Sequence, residues 1–374
     1  KTYCRPLISY LLEGKTSVEK MKYRPDEFYE DNRVRVITGM LAERIDVQNK
    51  TAALSDGTVL EYDKLLCATG SVPFVPPFEG LDTVSKKFSF MTLDDALELE
   101  QNITSGSRVF IVGAGLIGLK CAEGLHGRVG SITVCDLAPQ VLASILDAGC
   151  GAMVAERLTQ NGIRLMLGDT VTRFGGNIAT MKSGEIVEFD VLVLAVGVRP
   201  STSLIRDAGG EVGRGIVVGS DMRTSLPDIY AAGDCTECFD ITAGVNRVLA
   251  ILPNAYLQGE CAGINMAGGV SDFSNAIPMN SIGFFGLHIA TAGSYTGEVY
   301  EEHTDGDLKR LYIKDDRLTG FIIIGDVTRA GIYTSLIRNR TPLDDELDFD
   351  LLKKYPSLVA FSKIRRLKML GGVV

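Results

Sequence analysis

The sequence predicts an α/β protein in which helices cover both faces of a largely parallel sheet, with a smaller α+β domain behind it. Three observations predict it. Short, continuous apolar runs recur along the chain, helical stretches separate them, and a glycine-rich turn joins one run directly to a helix.

In chain order, Val34-Arg-Val-Ile37 alternates as a strand does, and Ala53 to Leu60 reads as a hairpin closed by Asp56-Gly57. Tyr62 to Ala68 reads as a buried strand ending in Thr69-Gly70-Ser71, and the proline-rich stretch from Pro73 to Gly80 is an ordered connection. Residues 92–102 are helical behind a Thr92 or Asp94 cap. Arg108 to Val112 is a buried strand, Leu116 to Leu125 a helix, and Ser131 to Cys135 the next strand. A helix at 152–160, a strand from Ile163 to Leu167, a meander from Val171 to Phe189 and the apolar strand Val191 to Ala195 follow. Ile229-Tyr-Ala-Ala-Gly-Asp234 is a short strand ending in small residues and an acid. Residues 246–266 hold a helix packed through Ala and Gly, interrupted or kinked by Pro253. From about Ser281 short strands return, including Leu308 to Ile313 and Leu318 to Ile324.

The 374 residues suffice for two or three domains, and 45% hydrophobic with 23% charged residues is an ordinary folded composition. A net charge of -9 argues against nucleic acid as a partner. No apolar run is long enough to predict a membrane span. Eight cysteines do not form a disulfide framework, which points to a reducing cytoplasm. The first residues carry neither a signal peptide nor an initiator Met, so the chain is expected to begin inside a longer gene product. Lys353-Lys354 and Lys363 to Lys368 make the end locally basic, either as a solvated helical face or as a steering patch for an acidic partner.

Gly113-Ala-Gly115-Leu116-Ile117-Gly118 carries the most chemistry. It follows a strand, opens a helix, and is followed 23 residues after Gly113 by Asp136 at the end of the next strand. Gly113 permits the tight turn, Gly115 lets backbone approach a pyrophosphate, and Gly118 lets helix and strand close together. The first N–H groups of the helix then hold phosphate. Asp136 accepts hydrogen bonds from ribose hydroxyls and repels a 2′-phosphate. Leu137 and Ala138 bring no cation to offset it, so NADH is expected over NADPH.

Ala68-Thr69-Gly70, Val196-Gly197-Val198-Arg199-Pro200 and Gly233-Asp234 end further strands. With these motifs in this order the chain resembles the FAD-dependent pyridine nucleotide-disulfide oxidoreductase superfamily, up to about residue 345. The opening Tyr3-Cys4-Arg5-Pro6 and the late Gly325-Asp326-Val-Thr-Arg329 are similar to NADH:rubredoxin reductases and the flavoprotein part of assimilatory nitrite reductases. The resemblance implies two Rossmann-like dinucleotide-binding domains in the glutathione reductase-like layout and a small α+β C-terminal domain. An FAD-binding domain comprises 1–105 and 226–275 and is N-terminally incomplete, an NAD-binding domain 106–225, and the C-terminal domain 280–374. It further implies that Asp234 meets the ribityl and pyrophosphate part of FAD, that Ala68, Thr69, Gly70 and Gly197 form the linking turns, and that Arg5 and Pro6 lie near the flavin.

Three departures stand out. The N-terminal glycine fingerprint for the FAD pyrophosphate is absent: it lies upstream of Lys1, comes from another chain, or has been lost with flavin binding. Retention of Asp234 and the ATG turn favours the first. No CxxxxC pair and no His-Glu pair is present, which rejects thiol-disulfide reduction in the glutathione reductase style. Cys4 stands where some relatives carry a single redox cysteine, but Arg5-Pro6 follows it. Lys120 occupies a position that is usually Glu beside the hydride path, so Lys120 and Arg5 are the candidates for tuning the flavin surroundings. Cys235 and Cys238 make a C-x-x-C with too few further ligands for a metal, so no metal is expected; packed thiols are the simpler reading, and a redox disulfide the rival. Glu123 reads as structural.

The implied reaction passes hydride from NADH to FAD and electrons onward to an acceptor such as rubredoxin or another small redox protein. The rivals are an NADH oxidase or peroxidase with a small-molecule acceptor, and a non-catalytic nucleotide-binding subunit. A homodimer and a subunit of a redox complex are both compatible with the sequence.

Overall fold

The computed structural model describes residues 2–304 and 306–369. The chain divides into two compact units. One comprises Lys1–Thr38, Pro73–Arg199 and Phe284–Leu287, the other Gly39–Val72, Pro200–Gly283 and His288–Val374.

The first unit is built on a five-stranded sheet in the order Lys87–Phe88, Val191–Leu194, Arg108–Val112, Ser131–Asp136, Ile163–Leu167. Every neighbouring pair is parallel, with Val109 opposite Ile132 and Val112 opposite Cys135. Parallel strands need crossovers, and helices Leu93–Asn102, Leu116–Leu125 and Ala148–Gln160 supply them. All four residues of Val191–Leu194 are buried, as a central strand covered on both faces requires. Thr92 and Asp95 close a reciprocal capping box on the first helix, and Asp147 caps the third through the Cys150 N–H. The third helix therefore starts at Ala148, earlier than the residue 152 expected from apolar periodicity. Arg108 ties two strand starts together: its guanidinium meets Asp190 at 2.9 Å and Glu188 at 2.8 Å, while its N–H donates to Asp190 at 2.8 Å. The meander Val171–Gly175, Ile178–Met181 and Ile186–Glu188 is antiparallel. Phe110, Phe174 and Phe189 fill the core there.

In the second unit, Ala42–Asp46, Thr51–Leu54 and Val59–Glu61 form an antiparallel meander containing the expected Asp56-Gly57 hairpin. Leu65–Cys67 and Ile229–Ala231 pair in parallel. Met279–Phe284, Leu287–Gly293, Arg317–Ile324, Asp307–Lys314 and Glu298–Thr304 make a five-stranded sheet in that order, and helix Ala330–Arg338 packs on it around Phe321, Tyr333, Leu336 and Ile337.

Three expectations are corrected. Val34–Ile37 is not a strand; Val36 is 52% exposed, because alternation stabilises a strand only where a partner strand and a core face receive it. The strand expected from Tyr62 to Ala68 shrinks to Leu65–Cys67, since Asp63 and Lys64 stay outside it and only Cys67 is buried. Pro253 does not kink a helix: it occupies the first turn of Leu252–Met266, where a missing N–H costs nothing. The preceding residues Val245–Arg247 are a strand.

Candidate functional site

The glycine fingerprint has the geometry its spacing demands. Gly113 has φ +118°, and a Cβ there would lie 2.2 Å from the Ala195 carbonyl oxygen. A Cβ on Gly118 would lie 1.9 Å from the Gly113 oxygen, so only hydrogen lets this helix sit on this strand. Gly115 is different: a Cβ would meet nothing within 4 Å. Its surroundings are open at the position where backbone must approach a pyrophosphate. Gly115 is also the N-cap of Leu116–Leu125, and no side chain caps that end. The N–H groups of Leu116 and Ile117 belong to this uncapped first turn, at the positive end of the helix dipole.

The Asp136 carboxylate accepts the Ala114 N–H at 2.7 Å and the Ala138 N–H at 2.8 Å. It fixes the fingerprint loop and keeps lone pairs for a ribose hydroxyl. Leu137 beside it is 64% exposed and uncharged.

Lys120 lies on the fingerprint helix. Its ammonium donates to Glu123 Oε2 at 2.5 Å and sits 5.3 Å from the ring centres of both Tyr10 and Phe284. The other Glu123 oxygen accepts the Phe285 N–H at 2.7 Å. The Lys120 cation thus comes with its own counter-charge, and Glu123 ties it to the Phe285 backbone. Cys4 is half-buried at the start of the Arg5–Leu7 turn, its N–H donating to Met21 O at 2.7 Å. Arg5 and Pro6 are exposed, with Pro6 in the first turn of that element. Gly197 has φ +116° and its carbonyl accepts the Phe74 N–H at 2.9 Å; Arg199 stacks on the Phe74 ring at 3.8 Å. All of these residues belong to the first unit.

In the second unit, Ala68-Thr69-Gly70 and Gly233-Asp234 lie at the carboxyl ends of the two parallel strands Leu65–Cys67 and Ile229–Ala231. Carboxyl ends of neighbouring parallel strands are where α/β folds bind ligands. Both turns use glycine in the left-handed region, Gly70 at φ +64° and Gly233 at φ +85°, and a Cβ on Gly70 would fill open space. Thr69 Oγ1 donates to Ser201 O at 2.7 Å, and Ala232 N–H to Cys67 O at 3.1 Å. Asp234 is half-buried beside the turn. Adjacent strand ends, the open turn at Gly70 and a carboxylate that can accept hydroxyl protons suit the ribityl part of a flavin dinucleotide.

The C-x-x-C does not converge on a common ligand. Cys235 Sγ–H donates to Ala232 O at 3.3 Å, and Cys238 Sγ accepts from the Gln258 amide at 3.3 Å. All eight cysteines are free, and every one except Cys4 is buried. Burial pushes the Cys238 thiol up to about 11. The neighbouring Cys235 thiol holds Cys67 below the ordinary thiol range, while that same hydrogen bond and burial push Cys235 up. No group of three metal-ligating side chains occurs among the described residues. In the basic stretch, Lys353 is paired with Asp350 at 2.6 Å, and Arg365 with Asp344 at 3.0 Å and Glu346 at 3.3 Å. These cations are neutralised locally. No helix of the described residues is long and apolar enough to cross a membrane.

Sequence reasoning missed Gln258, which bonds the Gly233 turn. The available signal was a pair of amides, Asn254 and Gln258, one turn apart in a helix otherwise read as packing through Ala and Gly.

A parallel sheet with an open glycine fingerprint, joined in one chain to a second pair of strand ends carrying an acid, defines a two-dinucleotide oxidoreductase. Residues 2–259 match the model of the pyridine nucleotide-disulphide oxidoreductases, and the chain belongs to that family; its members of this layout are NAD(P)H-dependent, FAD-containing oxidoreductases. Residues 278–341 match the rubredoxin NAD+ reductase C-terminal domain. The chain is 33% identical to the NADH-dependent phenylglyoxylate dehydrogenase subunit epsilon of Aromatoleum evansii, over 91% of this chain and 84% of that one. It is 27% identical to a nitrite reductase [NAD(P)H] of Bacillus subtilis, over 94% of this chain but 44% of that protein. Its fold matches the putidaredoxin reductase–putidaredoxin complex with a TM-score of 0.86 at 22% identity, covering 95% of this chain and 87% of that one.

Proposed function

We propose that this chain takes electrons from NADH, in preference to NADPH, and passes them through FAD to a small redox-protein acceptor of the rubredoxin class. The observation that carries the reading is the contrast between Gly118, which packing requires, and Gly115, whose open surroundings at the uncapped start of the helix leave room for a pyrophosphate. The C-terminal match to a rubredoxin reductase domain supports the acceptor class.

In this reading Gly113, Gly115, Leu116, Ile117 and Gly118 bind the NADH pyrophosphate, and Asp136 takes the adenosine ribose. Ala68, Thr69, Gly70, Gly233 and Asp234 bind FAD. FAD, when bound, supplies a centre that accepts two electrons together and releases them singly. The chain contributes position and field. Lys120, balanced by Glu123, places a dipole rather than a net charge beside the fingerprint helix, and no side-chain acid or base is needed for hydride transfer. Cys4 is assigned no electron-carrying part. The seven buried, reduced thiols suit a reducing cytoplasm. The relation to a dehydrogenase subunit also supports work as the NADH-facing subunit of a larger redox complex.

The test is reconstitution. The full-length protein, with whatever residues precede Lys1, is expected on mixing with FAD to retain flavin through gel filtration and then to reduce a rubredoxin-type acceptor with NADH. Retention of NADH without flavin, and no acceptor reduction, would identify a nucleotide-binding subunit instead.

A further inference from the structure

Helix Leu252–Met266 buries three amide side chains, Asn254, Gln258 and Asn265. Burying an amide is costly unless its polar atoms are paired, so each needs a reason. Asn265 serves its own end of the helix, bonding Asp221 O at 3.0 Å and the Ser271 backbone at 2.8 and 2.9 Å. Asn254 donates to Ile277 O at 3.1 Å. Gln258, 2% exposed, spends its amide on the Gly233–Asp234 turn.

Gln258 Oε1 accepts the Gly233 N–H at 2.7 Å and lies 3.1 Å from the Thr236 hydroxyl, while Nε2 donates to Cys238 Sγ. The Gly233 carbonyl is held in turn by Thr236, through its hydroxyl at 2.8 Å and its N–H at 3.0 Å. The residue whose left-handed φ sets the turn is therefore gripped at both its N–H and its carbonyl. Of the two grips, only the one on the N–H comes from outside the loop. A glycine at φ +85° has no side chain to hold it, and its own flexibility would let the following carboxylate swing.

We propose that Gln258 is a positioning residue for the flavin dinucleotide: by fixing the Gly233 peptide it sets the direction of Asp234 and hence the affinity for FAD. This rests on the proposed function of the Gly233–Asp234 turn. Gln258 itself is buried and acts through the Gly233 peptide. Cys238 is the passive end of the network, a soft acceptor that satisfies the second half of the amide.

The experiment compares FAD dissociation constants, by flavin fluorescence, for the wild-type chain, Gln258→Leu, Cys238→Ala and Asn265→Ala. Gln258→Leu is expected to raise the constant about tenfold or more, the scale of one lost hydrogen bond to a buried donor. Cys238→Ala and Asn265→Ala are expected to bind within about twofold of wild type, although Asn265→Ala lowers the melting temperature. Amide exchange at Gly233 in the wild-type chain without FAD gives an independent reading, expected to be strongly protected. Equal FAD affinity in wild type and Gln258→Leu overturns the proposal, as does an unprotected Gly233 amide should that variant not fold. All variants are made in the full-length protein, and full-length wild type that takes up no FAD overturns the function on which the proposal rests, and so is distinguishable from failure of Gln258 alone.

Discussion

The three glycines of the fingerprint do different work, and their substitution separates folding from binding. Gly115→Ala meets open space at φ -83°, a conformation alanine adopts freely. It should leave the melting temperature within about 2 °C of wild type while weakening NADH about tenfold or more, measured by calorimetry on the two proteins. Gly118→Ala drives a methyl into the Gly113 carbonyl and should cost about 1–3 kcal/mol of stability, seen in denaturant unfolding. At the next strand end, the Asp136→Ser, Leu137→Arg double variant replaces a repelling carboxylate with a cation at an exposed position. The ratio of kcat/KM for NADPH over NADH should then rise; an unchanged ratio removes Asp136 from cofactor choice. Spacing made these residues legible, because the turn, helix and acid are local in sequence. Gln258 was not legible, since its partner Gly233 is 25 positions away and hydrogen bonds between loop and helix leave no periodicity.

Elements held by continuous apolar runs were easy to read, and the marginal ones were not. Arg108–Val112 and Leu116–Leu125 occupy the residues expected of them, since burial on both faces leaves little freedom at their ends. Val34–Ile37 has the alternation of a strand and none of the partners, and a pattern without a receiving face does not make one. Ion pairs between strand starts were likewise invisible before the fold placed them. The hydrogen bonds from Arg108 hold Asp190 at about 2, against an ordinary carboxylate near ~3.9. A depressed folded pKa contributes stability that is complete above about pH 4 and is lost as pH falls toward 2. With the Asp190 side chain 40% exposed, the contribution is screened, and less than about 1 kcal/mol is expected. Asp190→Asn should therefore lower stability at neutral pH slightly and flatten its decline between about pH 4 and 2, followed by thermal melts across that range.

At the scale of the whole molecule, two sets of parallel strand ends occur in one chain, and each carries a glycine turn. The order of motifs along the sequence made this legible, although no single motif did. The thiols of the C-x-x-C point to separate partners, Cys235 to the Ala232 carbonyl and Cys238 to the Gln258 amide. The most direct test is an anaerobic titration of the FAD-loaded chain with NADH, followed by its flavin absorbance. Bleaching at one NADH per flavin, with recovery on adding an oxidised rubredoxin-type protein, is the expected result. Flavin absorbance that survives excess NADH would contradict electron transfer from the Gly113–Gly118 site to FAD.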